Sequence, residues 1–242
     1  MGIHEMDCLE YLGGVGDGEF DLVVTSPPYN MGETGGCVGD KSKREFGRKF
    51  YVGEFDDRRC DYEDWYMAVL GECIRVSRYV AWNVQWVNST KRAVARMQYE
   101  LVDELKEIFI WKKHAQNAIQ GHRGHFSRGF EFVYLFGEGE GGCFRYNNFP
   151  ENGYVPNVME WSNQHSKRRF SNHFATFPID LPMYFIERLT KPGDVVCDPM
   201  CGTGTTGVAA KRLGRRYELV DMVGEYCELA RGEVDNEPAP LF

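Results

Sequence analysis

No stretch of this 242-residue chain stays apolar for the length a bilayer requires, so a membrane-spanning role is not expected. The opening residues Met1-Gly2-Ile3-His4-Glu5 lack the basic start and apolar run of a secretion signal, which reads as a chain that remains in the cytoplasm. Cysteine is present but never paired. The eight thiols at positions 8, 37, 60, 73, 143, 197, 201 and 227 contain no CxxC, which speaks against a zinc site or a disulfide framework and for buried free thiols, with no metal expected. Net positive charge is missing as well: 28 Lys and Arg stand against 36 Asp and Glu, a formal charge of −8. Phosphate-binding surfaces are ordinarily basic, so the global charge counts against a nucleic-acid partner. No internal repeat or low-complexity run is visible either.

What remains has the composition of a globular protein, 43% hydrophobic and 26% charged, at a length that suits one catalytic domain over 1–242. The apolar run 20–25 ends at a double proline and reads as a buried parallel strand that stops abruptly. The stretch 32–59 is glycine-rich and charged without a period, the pattern of a mobile loop. Asp61 is placed to cap a helix that carries Trp65, Val69 and Ile74 toward the core. A strand over 79–84, a helix over 89–106 and strands over 107–112 and 131–136 follow. The pattern then breaks down over 137–170, the candidate for an inserted target-recognition region. Order returns as a helix over 180–189, a strand over 195–198, a helix over 205–213, a strand over 217–221 and a last helix over 224–233. Strands alternating with helices predict an α/β protein with a doubly wound, mostly parallel sheet.

Two strings carry the chemistry. After the strand ending at Asp198 comes Asp198-Pro199-Met200-Cys201-Gly202-Thr203-Gly204-Thr205, a glycine turn opening a helix. Gly202 and Gly204 permit a tight turn and the close approach of a nucleoside, and the helix from Thr205 offers free N–H groups. Asp221, at the end of the next strand and 23 positions after Asp198, suits the two hydroxyls of a ribose. Taken alone, a GxG turn is as readily a plain structural turn. The other string is Thr25-Ser26-Pro27-Pro28-Tyr29-Asn30. An exocyclic amino nitrogen of cytosine or adenine is a poor nucleophile because its lone pair is delocalised into the ring. Hydrogen bonds from its protons to the Ser26 hydroxyl oxygen and the Pro27 carbonyl would localise that pair, with Pro28 stiffening the carbonyl and Tyr29 stacking on the base. In-line placement against an activated methyl sulfonium would supply most of the rate. On its own, this string reads more readily as a plain strand-ending turn, for which prolines and serine are common.

Together, in this order and separation, the two strings resemble the permuted (beta-class) amino-group DNA methyltransferases, N4-cytosine or N6-adenine specific. The resemblance spans nearly the whole chain and is strongest over Asp7-Cys8-Leu9, 20–30 and 174–226. It implies a Rossmann-like, S-adenosylmethionine-dependent methyltransferase fold with seven strands and circularly permuted motif order. The target base would be flipped from double-stranded DNA, since a paired amino group is hidden in the stack. Ser26, Pro27, Pro28 and Tyr29 would be catalytic. The cofactor would meet Asp7 and Cys8, Thr176 and Pro178, and Asp198, Met200, Cys201, Gly202, Gly204, Thr205 and Asp221. Met200-Cys201 stands where Phe and a variable residue are usual, and Val223-Gly224 replaces the common Asn-Pro.

Basic residues cluster locally despite the acidic total, and Lys43, Arg44, Arg123, Arg128, Lys167, Arg168 and Arg169 are the candidates for DNA contact. His122 and His125 read as solvent or phosphate contacts. Asn83 is a candidate for lining the pocket, whereas Trp111 and Phe130 read as core. Serine ahead of the double proline favours cytosine N4 over adenine N6. The resemblance also implies a homodimer and a cognate restriction endonuclease acting on the same site. Other classes stay open at this stage: an RNA methyltransferase, a small-molecule methyltransferase, and a non-catalytic S-adenosylmethionine-binding subunit.

Overall fold

The structure is a computed structural model, and it describes residues 1–31, 57–113, 128–138, 155–161 and 177–238. Among these, eight strands form one sheet in the order β1-β8-β7-β2-β3-β5-β4-β6. They are β1 (Gly2–Glu5), β2 (Leu22–Thr25), β3 (Tyr79–Val84), β4 (Leu105–Lys113), β5 (Phe130–Gly137), β6 (Val158–Trp161), β7 (Val195–Asp198) and β8 (Arg216–Asp221). Only β5 runs against its neighbours, pairing antiparallel with both β3 and β4, while the other five pairings are parallel. The expected doubly wound, mostly parallel sheet is therefore present, with eight strands where the resemblance implied seven.

Strands buried on both faces read as unbroken apolar runs, and the side chains sort by alternation. Val23 of β2 and Val80, Trp82 and Val84 of β3 face one side, where helices α1 (Cys8–Gly13), α2 (Tyr62–Val76) and α3 (Lys91–Glu100) supply Leu12, Tyr66, Leu70 and Met97. Leu22 and Val24 with Ala81 face the other, against Leu181, Phe185 and Ile186 of α4 (Asp180–Leu189) and Ala209 and Ala210 of α5 (Thr205–Arg212). Helix α6 (Gly224–Asn236) closes that layer with Ala230 and Val234 against Val208 and Leu219. Of the six cysteines in the described residues all are free, and only Cys60 is exposed.

The structure departs from the sequence reading at short or irregular elements. Strand β1 and helix α1 were not expected, because four and six residues are too few to show a period. Strand β6 lies inside the stretch read as patternless and adds parallel to β4 at the sheet edge. The helix expected over 89–106 ends at Glu100, and β4 starts at Leu105. Asp61 precedes α2 but its side chain caps nothing; the carboxylate takes the Arg59 guanidinium at 3.1 Å instead. Phe130, read as core, is 45% exposed, whereas Trp111 is buried. The loop expected over 32–59 falls, except for its last three residues, outside the described residues, as do 139–154 and 162–170 of the expected insertion.

Candidate active site

Strands β1, β8, β7, β2 and β3 are parallel, so their C-terminal ends line one edge of the sheet. The connection leaving β7 returns to β8 on one side, and the connection leaving β2 returns to β3 on the other. The order of strands thus reverses between β7 and β2. A crevice forms where neighbouring connections diverge in this way, which is where doubly wound sheets hold ligands. Both sequence strings sit there, one after β2 and the other after β7.

After β2 the chain leaves regular structure at Ser26, and several of its polar groups are held by described residues from elsewhere in the chain. The Pro28 carbonyl accepts from the Tyr62 hydroxyl at 2.8 Å, and the Tyr29 carbonyl accepts from the Ser89 hydroxyl at 2.6 Å. Asn30 holds a left-handed backbone, φ 55°, which asparagine tolerates, and its amide exchanges bonds with the Arg59 backbone N–H at 2.7 Å and carbonyl at 3.3 Å. The Pro27 carbonyl accepts no hydrogen bond from the described residues. The Ser26 hydroxyl donates to the Tyr29 hydroxyl at 3.4 Å, and the Tyr29 hydroxyl donates to Glu131 at 2.8 Å. Burial, followed by the Glu131 charge, holds the Tyr29 phenol well above its ordinary range, so it keeps its proton.

After β7 the turn is closed by its own residues and its immediate neighbours. Gly202 and Gly204 have φ of 49° and 82°. A Cβ on Gly204 would lie 2.8 Å from that of Ala230 in α6, so the turn presses against that helix. A Cβ on Gly202 would meet no atom of the described residues within 4 Å, so among them the backbone there is open to close approach. Asp221 accepts from the Gly202 N–H at 3.0 Å and the Val223 N–H at 2.9 Å, one bond to each oxygen. Burial raises its carboxyl. Each oxygen keeps a lone pair, which leaves capacity for a diol. Just after the adjacent strand β1, Asp7 caps α1 by accepting from the Leu9 N–H at 2.8 Å and the Glu10 N–H at 3.2 Å through a single oxygen, Oδ1. Cys8 behind it is buried, and its thiol is pushed up to about 12 by that burial and by Asp7. These groups fit a nucleoside: a backbone open to close approach, flanked by two carboxylates with spare acceptor capacity.

Asp198 joins the two turns. It is 1% exposed, and it accepts from the Thr25 hydroxyl at 2.7 Å, the Thr206 hydroxyl at 2.6 Å and the Met200 N–H at 3.2 Å. Burial pushes the carboxyl up to about 6 against the pull of those three donors. Its oxygens are committed to the protein, so it clasps the end of β2 to the turn after β7 beneath the open crevice. Cys201 is buried, with its N–H held by the Val220 carbonyl at 2.9 Å; Met200 packs against the core, Thr205 opens α5, and Pro178 is buried just before α4.

Asn83 is 1% exposed, and one N–H of its side-chain amide donates to the Phe132 carbonyl at 3.0 Å. Arg128 lies exposed just before β5. Thr176, Lys43, Arg44, Arg123, Lys167, Arg168, Arg169, His122 and His125 lie outside the described residues. Sequence reasoning missed Tyr62, Ser89, Glu131 and Lys113. The one available signal was charge inside an apolar strand: Glu131 is a carboxylate on β5, and Lys113 ends β4.

A family model described as DNA methylase matches residues 20–232. Among curated relatives, the Type II methyltransferase M2.DpnII of Streptococcus pneumoniae is 39% identical over 84 residues, 33% of this chain and 27% of that protein. The Type II methyltransferase M.Cfr9I of Citrobacter freundii is 30% identical over 55% of this chain and 45% of its own length. M.HinfI of Haemophilus influenzae, also a Type II methyltransferase, is 26% identical over 93% of this chain and 65% of its own. The matches thus span less than two thirds of each relative. Among solved structures, PvuII DNA methyltransferase (cytosine-N4-specific) superposes with a TM-score of 0.69 at 20% identity, covering 98% of this chain and 88% of that one. The M1.HpyAVI–SAM complex does so with a TM-score of 0.63 at 17% identity, covering 96% and 98%. The fold is theirs, and since the family match runs through both turns and every strand from β2 to β8, the chain belongs to the DNA methylase family.

Proposed function

We propose that this protein transfers a methyl group from S-adenosylmethionine to the exocyclic amino group of a base flipped out of double-stranded DNA, with cytosine N4 the favoured target. The observation that carries the reading is the juxtaposition at the strand-order reversal. Ser26 and the Pro27 carbonyl, which accepts no hydrogen bond from the described residues, lie across the Asp198 clasp from a glycine turn whose backbone is open among those residues. Gly202, Asp221 and Asp7 would hold the nucleoside end of the cofactor, which supplies an electrophilic methyl. Ser26 and Pro27 would accept from the two amino protons and localise the nitrogen lone pair, while the Tyr29 ring orients the base. No strong base is needed, because the amino proton becomes acidic as the N–C bond forms. The serine ahead of the double proline favours cytosine. The Type II names of the relatives support a cognate endonuclease as part of the same proposal, whereas a homodimer rests on the family resemblance.

The test is methylation of unmethylated genomic DNA with S-adenosylmethionine, followed by digestion to nucleosides and mass spectrometry. N4-methyldeoxycytidine is expected. The Ser26→Ala variant should retain cofactor binding and lose on the order of 100-fold or more in kcat. N6-methyldeoxyadenosine would change the base but keep the class. Cofactor binding with no methylated base would remove DNA as the substrate.

A further inference from the structure

Behind the catalytic turn lies a buried ion pair that the methyl-transfer reading does not use. Strand β5 is reversed, so its first residues arrive at the same edge as the last residues of β4, which brings Glu131 beside Lys113. The Lys113 ammonium lies 2.5 Å from one Glu131 oxygen, with the two side chains only 9% and 8% exposed. The other Glu131 oxygen accepts from Tyr29 at 2.8 Å, and the Tyr29 oxygen accepts from Ser26 at 3.4 Å.

The chemistry of these groups leaves one direction for every hydrogen. An ammonium only donates and an ionised carboxylate only accepts. The Tyr29 proton is therefore committed to Glu131, which leaves the phenol oxygen as an acceptor. The Ser26 proton is drawn to that oxygen, and the Ser26 lone pairs are turned away from it. Resting on the methyl-transfer reading above, we propose that Lys113 and Glu131 are positioning residues that set the polarity of Ser26 through Tyr29. The site then presents an acceptor to the base and discriminates an amino group from an oxo group at that position. An isolated serine hydroxyl would do this poorly, since it rotates to donate to a carbonyl as readily as it accepts from an amine. No proton is transferred along the chain; the ion pair only fixes which way each bond points.

The discriminating measurement is a ratio of binding affinities. Two duplexes carry the sequence found methylated in the genomic test, one with the target amino base and one with its oxo counterpart, uracil for cytosine or hypoxanthine for adenine. In both, the target stands opposite an abasic site, so that the cost of unpairing is equal. With S-adenosylhomocysteine bound, the wild type should favour the amino duplex by on the order of tenfold or more. Tyr29→Phe keeps the ring and removes the acceptor for the Ser26 proton; the ratio should fall below about threefold. The double variant Lys113→Met with Glu131→Gln keeps the phenol but lets its hydrogen turn, and the ratio should fall to an intermediate value. Cofactor binding by calorimetry checks that each variant is folded. A wild type that methylates DNA but shows no amino preference, or variants that both retain its ratio, would overturn the proposal. A ratio lost in Tyr29→Phe yet unchanged in the double variant would overturn the part assigned to the ion pair. A wild type that methylates neither base would overturn the underlying reading, and this proposal with it.

Discussion

Pro28 and Tyr29 hand their carbonyls to side chains 34 and 60 positions further along, on α2 and just before α3, and Tyr29 reaches 102 positions to Glu131. The turn after β7 is built differently. Its glycines close it locally, the Gly204 N–H returns to the Cys201 carbonyl at 2.9 Å, and Asp221 of the adjoining strand braces Gly202. One turn takes its shape from remote partners and the other from its own backbone. The difference matches the roles proposed for the two turns. A loop that grips a whole nucleoside needs bare backbone and close approach, whereas a strip that aims two oxygens at one nitrogen needs its carbonyls and hydroxyls steered from outside. Damage to the first turn should therefore appear in methyl transfer, and damage to the second in stability and cofactor affinity.

The largest expected effect on the local turn is Gly204→Ala. The left-handed backbone costs about 1–2 kcal/mol for a residue with a Cβ, and overpacking against Ala230 adds about 1–3 kcal/mol. Urea unfolding should thus show a loss of roughly 2–5 kcal/mol. Gly202→Ala sharpens the contrast, because its Cβ would meet no atom of the described residues within 4 Å. Stability should fall by only about 1–2 kcal/mol, while cofactor affinity measured by calorimetry should fall more than in Gly204→Ala.

The clasp between the turns can be probed through pH. The Asp198 carboxyl sits at about 6 in the fold against an ordinary 3.8. The folded protein therefore holds this proton more tightly than the unfolded chain. The stability from this group is complete below about 4 and is lost as pH rises through about 6, a change on the order of 3 kcal/mol. Denaturation midpoints from pH 4 to 7 should carry this downward slope in the wild type and lack it in Asp198→Asn. An identical slope in both proteins would assign the titration elsewhere.

Smaller effects test the remote supports. Tyr62→Phe strands the Pro28 carbonyl, a loss of about 1–2 kcal/mol, and should lower kcat while the affinity for S-adenosylmethionine stays unchanged. If cofactor affinity falls with it, the two turns are not independent. Asp7→Ala removes the α1 cap and should cost about 1 kcal/mol in the unfolding midpoint, with a weaker cofactor as the accompanying sign that its second oxygen is used.

Legibility in the sequence followed the same division. The buried strands 79–84 and 195–198 were read at their observed bounds because a parallel strand covered on both faces leaves an unbroken apolar run. The glycine turn was legible because glycine names its own backbone. Strand β6 and helix α1 were not, being too short for a period, and Asp61 was misread because a capping residue type does not reveal that Arg59 competes for its oxygens. Asp198 and Asn83 were placed correctly along the chain, yet where their polar atoms point depended on Thr25, Thr206 and Phe132, each brought in by another strand or helix.

The order of strands and helices, the two turns and their sequence separation are written in local pattern: apolar period, proline stops and glycine. Family membership follows from that linear arrangement. The reversal of β5, which delivers Glu131 and Lys113 to the edge that carries Ser26 and Tyr29, is decided only by how the strands pair, since an antiparallel and a parallel buried strand read alike in sequence. The same holds for the burial of Asp198 and the capture of the Pro28 carbonyl by Tyr62. Hydrogen bonds join atoms that are near in space, and the chain folds before it specifies which polar groups are left for a ligand.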